Sequence, residues 1–205
     1  MRLLKSLVFA ACLVPLGLLV WRGFTDGLTA NPIEFVTHRT GDWTLRLLLV
    51  TLAITPLRRL TGWNAVIRLR RMLGLFAFFY GSLHLLTYVV LDHFFAFGSM
   101  LEDLTDRRFV TAGFTGFVLM IPLALTSTQA MVRRLGGRRW QALHRLVYVS
   151  ACAGVVHYLW LVKADLRPPL VYAALLALLL GFRLYVAMVR RTGRLPHAAR
   201  SGAVP

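Results

Sequence analysis

The sequence predicts an all-α integral membrane protein built as a bundle of six transmembrane helices. Hydrophobic residues make up 58% of its 205 residues, against about 45–50% in an average soluble domain. They are collected in six blocks close to the length that an α-helix needs to cross the hydrocarbon core of a bilayer. Arginine-rich segments separate some of these blocks and acidic segments separate others, which is the charge asymmetry of a multi-spanning membrane protein.

The six predicted spans cover residues 4–21, 43–57, 72–92, 110–128, 141–162 and 169–189. The first block has a basic start like that of a signal peptide, but it lacks a clear small-residue cleavage site, so we expect it to be retained as a helix. The second is the shortest and contains Arg46. The spans are expected to form one domain over residues 1–191, and the polar tail 192–205 is expected to be disordered.

The loops predict the orientation of the chain. Loops 58–71 and 129–140 and the tail carry clustered arginines, whereas the other three loops hold most of the acidic residues. Because cytoplasmic loops carry an excess of Lys and Arg, both termini are expected in the cytoplasm of an inner-membrane protein. The net charge of +16 therefore indicates topology and not a nucleic-acid-binding surface. Cys12 and Cys152 lie inside apolar blocks, so neither a disulfide framework nor a CxxC site is expected.

Three histidines fall within the predicted spans: His84 in the third, and His144 and His157 in the fifth. Ionisable groups inside a membrane are costly, so they are candidates for function. Imidazole is a strong ligand of haem iron, and two axial imidazoles suit the iron to electron transfer rather than to oxygen binding. A lone membrane histidine can also simply bond a carbonyl on the next helix, and this alternative stays open at this point.

The depth of the histidines predicts which two share a b-type haem. His84 lies about 18 Å from the cytoplasmic start of its span, and His157 lies about 20 Å along the helix from His144. His84 and His157 therefore reach a similar depth in the periplasmic half of the bilayer, where they are the best pair of ligands.

His144 would lie near the cytoplasmic face without a histidine partner, because the matching position of the third span is Arg70. A haem there would need a non-histidine ligand or an open site, or would be absent. On an ideal helix His144 and His157 point about 140° apart. Either the fifth helix deviates, for example near Gly154, or the two histidines face different neighbours.

At these histidines the sequence resembles the MsrQ family (also called YedZ), the haem-binding membrane subunits of bacterial periplasmic protein-methionine-sulfoxide reductase systems. The resemblance covers about residues 30–185, and its most specific feature is the order of TSTQAM (126–131), WQALH (140–144) and HYLW (157–160). A wider resemblance is to the ferric-reductase-like transmembrane domain. It implies a six-helix bundle of that type, with His84, His144 and His157 as axial ligands of haem iron.

The resemblance also implies a function. A member of this family is expected to take electrons from the quinone pool or from a cytosolic flavin reductase. It would pass them through one or two b haems to a periplasmic molybdopterin-containing reductase, MsrP, which repairs methionine sulfoxide in envelope proteins. FMN is implied as well, although no GxGxxG follows a strand to indicate where it would bind. Catalysis would then belong to a separate protein, and whether the chain is itself an enzyme is left open.

Further polar residues could contact a haem propionate, a quinone or a flavin. Arginine forks bind carboxylates well, although topology alone also explains the arginines. Hydroxyls and amides at the cytoplasmic helix ends could bind a cofactor, or could simply cap backbone carbonyls. A histidine in the first outer loop resembles a family position and could border the periplasmic haem. These candidates are Arg70, Arg71, Ser127, Thr128, Gln129, Gln141 and His38.

Two other functions compete with this interpretation. A ferric reductase or a quinol-oxidising cytochrome b would share the haem core and differ in its electron acceptor. A small transporter or assembly factor without cofactor would need acidic or polar residues in its spans, and the spans contain almost no Asp or Glu. A Soret band would separate the haem proteins from the transporter class.

Overall fold

The computed structural model describes residues 2–25 and 27–191, and the regular structure within these ranges is helical. The tail 192–205, for which disorder was expected, lies outside the described residues. The α-helices are α1 (Arg2–Phe24), α2 (Pro32–Thr61), α3 (Arg70–Leu86), α4 (Phe97–Asp106), α5 (Arg108–Leu125), α6 (Gln129–Leu135), α7 (Gly137–Leu143), α8 (Leu146–Leu161) and α9 (Arg167–Arg191). A 3₁₀ segment, Asn64–Leu69, leads into α3, and a π-helical segment, Thr87–Asp92, extends it.

Within the described residues, four helical segments are long and apolar enough to cross a membrane. They are Arg2–Phe24, Asn64–Asp92, Arg108–Leu125 and Arg167–Arg190, and they coincide with the first, third, fourth and sixth predicted spans. The other two predicted spans correspond to α2, which is long but carries charged residues, and to α8, which has 16 residues. The structure thus supports an all-α membrane fold, and the count of six spans remains a prediction.

Helix α2 begins eleven residues earlier than the predicted second span because local capping, rather than hydropathy, sets its start. The Asn31 side chain accepts a hydrogen bond from the Glu34 backbone N–H at 3.3 Å, and Pro32 opens the first turn. Both are typical of a helix N-terminus. At the other end Gly62 adopts the left-handed conformation, with φ of 68°, that commonly ends a helix. Hydropathy marks only the apolar part of this 30-residue helix.

Helix α2 lies between the two apolar clusters of the bundle. On one side it packs with α1 and α3 through buried Leu47, Leu48, Phe76 and Tyr80. On the other side it packs with α8 and α9 through a second cluster of Leu45, Leu49, Leu52, Ala151, Val155 and Leu176. The central helices α2, α3, α5 and α8 are therefore held in fixed register, and residues on α3 and α8 can face each other across the bundle.

Tyr80 holds α1 to the bundle at a point where proline disturbs the helix. Pro15 lacks a backbone N–H, and just beside it the Tyr80 hydroxyl enters the hydrogen-bond ladder of α1. The hydroxyl accepts from the Leu16 N–H at 3.1 Å and donates to the Cys12 carbonyl at 2.8 Å. A single buried hydroxyl therefore satisfies both groups that the opened turn exposes.

We expect Tyr80→Phe to destabilise the protein by about 1–3 kcal/mol, because two buried backbone groups lose their partner. Thermal unfolding followed by circular dichroism should show a lower Tm. Tyr185→Phe is the matched control, since the Tyr185 side chain on α9 is exposed. Equal Tm values for the two variants would contradict this role of Tyr80.

Candidate functional site

The structure brings His84 on α3 and His157 on α8 together. Their ring centroids are 6.0 Å apart and the ring planes are inclined by 75°. The two residues are 73 positions apart in the sequence, and they meet because α3 and α8 face each other diagonally across the bundle, each packed against both α2 and α5. This is the pair that the depth argument predicted to lie at the same level.

Both imidazoles are fixed by the same kind of hydrogen bond. Nδ1 of His84 lies 2.9 Å from the carbonyl oxygen of Thr37 on α2. Nδ1 of His157 lies 2.7 Å from the carbonyl oxygen of Phe109 on α5. Because a carbonyl oxygen can only accept, each Nδ1 carries the proton, and each neutral ring presents the lone pair of Nε2. Metal-bound histidines are usually oriented in this way by a partner of their second nitrogen.

Two glycines allow the imidazoles to approach the neighbouring helices. A Cβ atom at Gly113 would lie 2.7 Å from Nδ1 of His157, and a Cβ atom at Gly41 would lie 3.1 Å from Cε1 of His84. The first distance is too short for any side chain, and the second is tighter than nearly all real contacts. Glycine at these two positions therefore leaves space for rings that hydrogen-bond to a carbonyl about one turn away.

The separation of the two rings fits a single metal ion between them. Two imidazole nitrogens, each about 2.0 Å from a metal and about 1.1 Å from its own ring centroid, place the centroids about 6 Å apart. Within the described residues no group of three or more His, Cys, Asp or Glu side chains could hold a metal ion. A pair of axial ligands matches haem iron, because the porphyrin supplies the remaining ligands. The donor set and its second-nitrogen hydrogen bonds thus fit a b-type haem.

His144 lies apart from this pair, in the turn between α7 and α8. Its ring stacks on that of Trp140 with a centroid separation of 3.8 Å, and its Nδ1 lies 3.1 Å from the Trp140 carbonyl oxygen. Its Nε2 is buried and, among the described residues, makes no hydrogen bond of ordinary geometry, although the Leu123 carbonyl lies near the ring. A buried nitrogen without a partner is costly, so this lone pair is available to a ligand that the protein itself does not provide.

The fifth predicted span is interrupted, and the interruption is not near Gly154 as suggested above. Helix α7 ends at Leu143 and α8 begins at Leu146, so the deviation lies at His144 itself. Ideal-helix angles between His144 and His157 therefore do not apply. The Trp140 ring on α7 is tied to the end of α5 by a hydrogen bond from Nε1 to the Thr126 carbonyl oxygen at 2.9 Å.

The remaining candidates are placed as follows. Arg70 begins α3 and is within electrostatic range of His144, whereas Arg71 is exposed. The Ser127 hydroxyl donates to the Leu123 carbonyl at 2.7 Å, and the Thr128 hydroxyl accepts from the Met131 N–H at 3.2 Å as the N-cap of α6. For Ser127 and Thr128 the structure therefore shows hydrogen bonds to the local backbone, which was the alternative to cofactor binding.

Gln129, Gln141 and His38 are more open to solvent. Gln129 begins α6 and Gln141 lies in α7, and both are exposed. The His38 imidazole lies 4.0 Å from the Glu34 carboxylate, with more than half of its side-chain surface exposed. Its neighbour Thr37 provides the carbonyl that orients His84, so His38 borders the site through the backbone.

The functional positions that the sequence reasoning missed are backbone positions. The Thr37 and Phe109 carbonyls leave no signal in residue type, and Gly41 and Gly113 are two of sixteen glycines in the chain. The sequence did contain one signal. Each glycine lies four residues, or about one helical turn, after the residue whose carbonyl binds the histidine: Gly41 after Thr37 and Gly113 after Phe109. That spacing places the carbonyl and the open space on the same face of the helix.

Comparison with known proteins gives consistent results. A family described as "Ferric reductase like transmembrane component" matches residues 40–155. The chain is 56% identical over 192 residues to the protein-methionine-sulfoxide reductase heme-binding subunit MsrQ of Herminiimonas arsenicoxydans, which covers 93% of this chain and 88% of that protein. It is 54% identical over 207 residues to the same-named subunit of Ralstonia nicotianae, covering 100% of this chain and 94% of the relative. No solved structure matches the chain.

Proposed function

Because the chain belongs to the MsrQ family of haem-binding subunits, within the ferric reductase-like transmembrane components, we propose that it is a membrane cytochrome b that carries electrons across the inner membrane. The observation that carries this proposal is the facing pair of imidazoles, whose ring centroids lie 6.0 Å apart. The spacing, the tautomer and the glycine-lined approach of these rings all suit two axial ligands of one iron atom.

The chain's own residues hold and insulate the site. His84 and His157 would be the axial ligands, and the Thr37 and Phe109 carbonyls keep each Nε2 free by binding the opposite nitrogen. Bound haem supplies reversible one-electron chemistry at a six-coordinate iron. Packing of α2 and α5 behind the rings limits the reorientation of the ligands. A fixed ligand geometry favours electron transfer over ligand exchange.

We further propose that all six predicted blocks cross the bilayer as one domain over residues 1–191, with both termini in the cytoplasm. The charge distribution supports this orientation. Asp92, Glu102, Asp103, Asp106 and Asp165 lie in the segments that adjoin the His84–His157 end of the bundle. The arginine clusters lie at the opposite end, as the positive-inside rule requires for the cytoplasmic face. The paired histidines then lie in the periplasmic half, closer to the electron acceptor than to the donor.

The partners follow from the family. The relatives are named as heme-binding subunits of a protein-methionine-sulfoxide reductase. We therefore propose that the acceptor is the periplasmic molybdopterin-containing subunit MsrP. Electrons would enter from the quinone pool or from a cytosolic flavin reductase, and FMN would bind on the same side. Arg70, Arg71, Gln129 and Gln141 are candidate contacts of the donor or of FMN at that face.

Electron flow tests the proposed function. The purified protein should be reconstituted with haem in nanodiscs, reduced by a quinol or by a flavin reductase with NADPH, and mixed with MsrP. The haem alpha band should decay after methionine sulfoxide is added, and only when MsrP is present. A protein without a Soret band from haem-replete cells, or a haem that MsrP never reoxidises, would overturn the proposal.

His144 provides a separate prediction about a second haem. Its partnerless Nε2 near Arg70 supports an inner site with one histidine ligand. We expect His144→Ala to lose one of two haems while the spectrum of the His84–His157 haem is retained. Pyridine haemochrome stoichiometry on the wild type and the variant measures this, with Arg138→Ala, an exposed position of α7, as the control. Unchanged stoichiometry in His144→Ala would remove the second site.

A further inference from the structure

The side chains of the short helix α4 point in three directions around the helix axis, and each direction is called a sector here. At 100° per residue, Phe97 and Leu101 share one sector, and Glu102 and Asp106 share another about 140° away. Asp103, Met100 and Leu104 form the third sector, about 90° from the first. Only this third sector is covered by the rest of the chain, since its members are at least half-buried while the others are exposed.

The covered sector attaches α4 firmly to the end of the third helix. The Asp103 carboxylate lies 3.3 Å from Nε2 of His93 and accepts from the Tyr88 hydroxyl at 3.3 Å. It also pairs with Arg107 at 3.0 Å, and its side chain is only 13% exposed. Because α4 is fixed on this side, the directions of its other two sectors are also fixed. One presents large apolar side chains, and the other presents carboxylates.

The turn before α4 extends the apolar sector. Phe94 and Phe95 have φ angles of 47° and 63°, in the left-handed region that bulky side chains rarely adopt. Both side chains are exposed, as are Phe97 at 69% and Leu101 at 65%. Backbone hydrogen bonds hold this turn, from the Phe95 N–H to the Val89 carbonyl and from the Ala96 N–H to the His93 carbonyl, both at 2.9 Å, so the two phenyl rings are fixed in an outward direction.

The surroundings indicate what this contact is. Other exposed aromatic side chains lie at the same end of the bundle, including Trp21 and Phe24 at the end of α1 and Trp160 at the end of α8. Exposed aromatics at helix ends form the interfacial belts of membrane proteins. The apolar groove between α5 and α8, of about 450 Å³, also opens here, beside Arg108 and Trp160. The apolar sector of α4 thus continues an exposed, aromatic-rich surface at the same end of the bundle.

We propose that α4 and the Phe94–Phe95 turn form a lipid-binding surface. This surface lies in the plane of the bilayer interface on the periplasmic side of the inner membrane. Phe94, Phe97 and Leu101 enter the boundary between headgroups and acyl chains, while Glu102 and Asp106 face water. An in-plane amphipathic helix buries an apolar face in the interface and keeps a charged face in water, and in α4 these two faces are about 140° apart. Lipid binding also holds the Asp103 network in place as a polar cap at the outer end of the third helix, nine residues beyond His84 at His93.

Site-specific photocrosslinking tests this surface in the intact chain. The photoreactive analogue p-benzoylphenylalanine is placed at position 97 or, as a matched control, at position 102, in haem-loaded protein in nanodiscs of phosphatidylethanolamine and phosphatidylglycerol. We expect phospholipid adducts by mass spectrometry at position 97 and at least tenfold fewer at position 102. Adducts from position 97 to a protein chain, or equal lipid adducts at both positions, would overturn the proposal.

A second measurement does not depend on crosslinking chemistry. Phe97→Cys, Leu101→Cys, Glu102→Cys and Asp106→Cys are made in a Cys152→Ala background, in which Cys12 is buried. A charged, water-soluble maleimide should label positions 102 and 106 at least tenfold faster than 97 and 101 in the nanodisc. Equal labelling rates at the four positions would show that the apolar sector is in water and would overturn the proposal.

Discussion

Replacing His84 or His157 by alanine is expected to lower the haem content of the outer site at least about tenfold. Loss of even an outer-shell partner of a metal ligand costs about 10–100-fold in affinity, and the loss of an axial ligand should cost more. Any haem that remains would be held by one imidazole and would be high-spin. Pyridine haemochrome and the Soret spectrum of purified protein measure both effects.

His38 and His93 provide the controls for this experiment. Both lie on the same side of the bundle, but the His38 side chain is more than half exposed and His93 is held by Asp103. His38→Ala and His93→Ala should therefore keep the wild-type haem content. Added imidazole should restore a low-spin spectrum to the His157→Ala protein, since the free ligand can enter the space that the side chain leaves. Wild-type spectra for both His84→Ala and His157→Ala would contradict the assignment of the pair.

Gly113→Ala is expected to lower haem affinity about 10–100-fold without removing any ligand. The new Cβ atom would lie 2.7 Å from Nδ1 and 3.1 Å from Cε1 of His157. The ring cannot yield without weakening its 2.7 Å hydrogen bond to the Phe109 carbonyl, so the imidazole has to turn away from the site. Haem titration of the apoprotein gives the affinity.

Gly154→Ala is the matched control because it adds the same methyl group on α8, three residues before His157. There the Cβ atom would meet only Cδ1 of Leu45, at an ordinary distance of 3.5 Å. The haem affinity of Gly41→Ala should fall between those of Gly113→Ala and Gly154→Ala, since the new Cβ atom would lie 3.1 Å from Cε1 of His84. If Gly113→Ala bound haem as tightly as Gly154→Ala, the close approach of α5 to His157 would not matter for the site.

The meeting of His84 and His157 could be predicted because depth in a membrane follows from counting residues. A rise of about 1.5 Å per residue and a topology set by arginines are enough to place two positions at one level. The facing of the two rings is a property of helix rotation, which packing between α2, α3, α5 and α8 decides. Periodicity within one helix carries no information about that rotation relative to another helix.

The errors in the predicted elements have local causes. Hydropathy missed the first eleven residues of α2, because Asn31 and Pro32 start the helix in a polar stretch. It also merged α7 and α8 across the turn at His144, since the flanking residues are apolar on both sides. Hydropathy did not predict helix α4, because its apolar and acidic residues are interspersed along the chain and never form a continuous hydrophobic block. The roles of Gly41 and Gly113 depend on contacts between helices, which a single sequence does not contain.

The proposed binding of one iron by both His84 and His157 is tested most directly by the spin state of that iron. Low-temperature electron paramagnetic resonance of the ferric His144→Ala protein isolates this haem from any inner one. We expect a strongly anisotropic low-spin signal, since two imidazoles inclined by about the observed 75° bind one iron, and no carbon monoxide complex on reduction. A high-spin ferric signal with ready binding of carbon monoxide would contradict the claim that both histidines bind one iron.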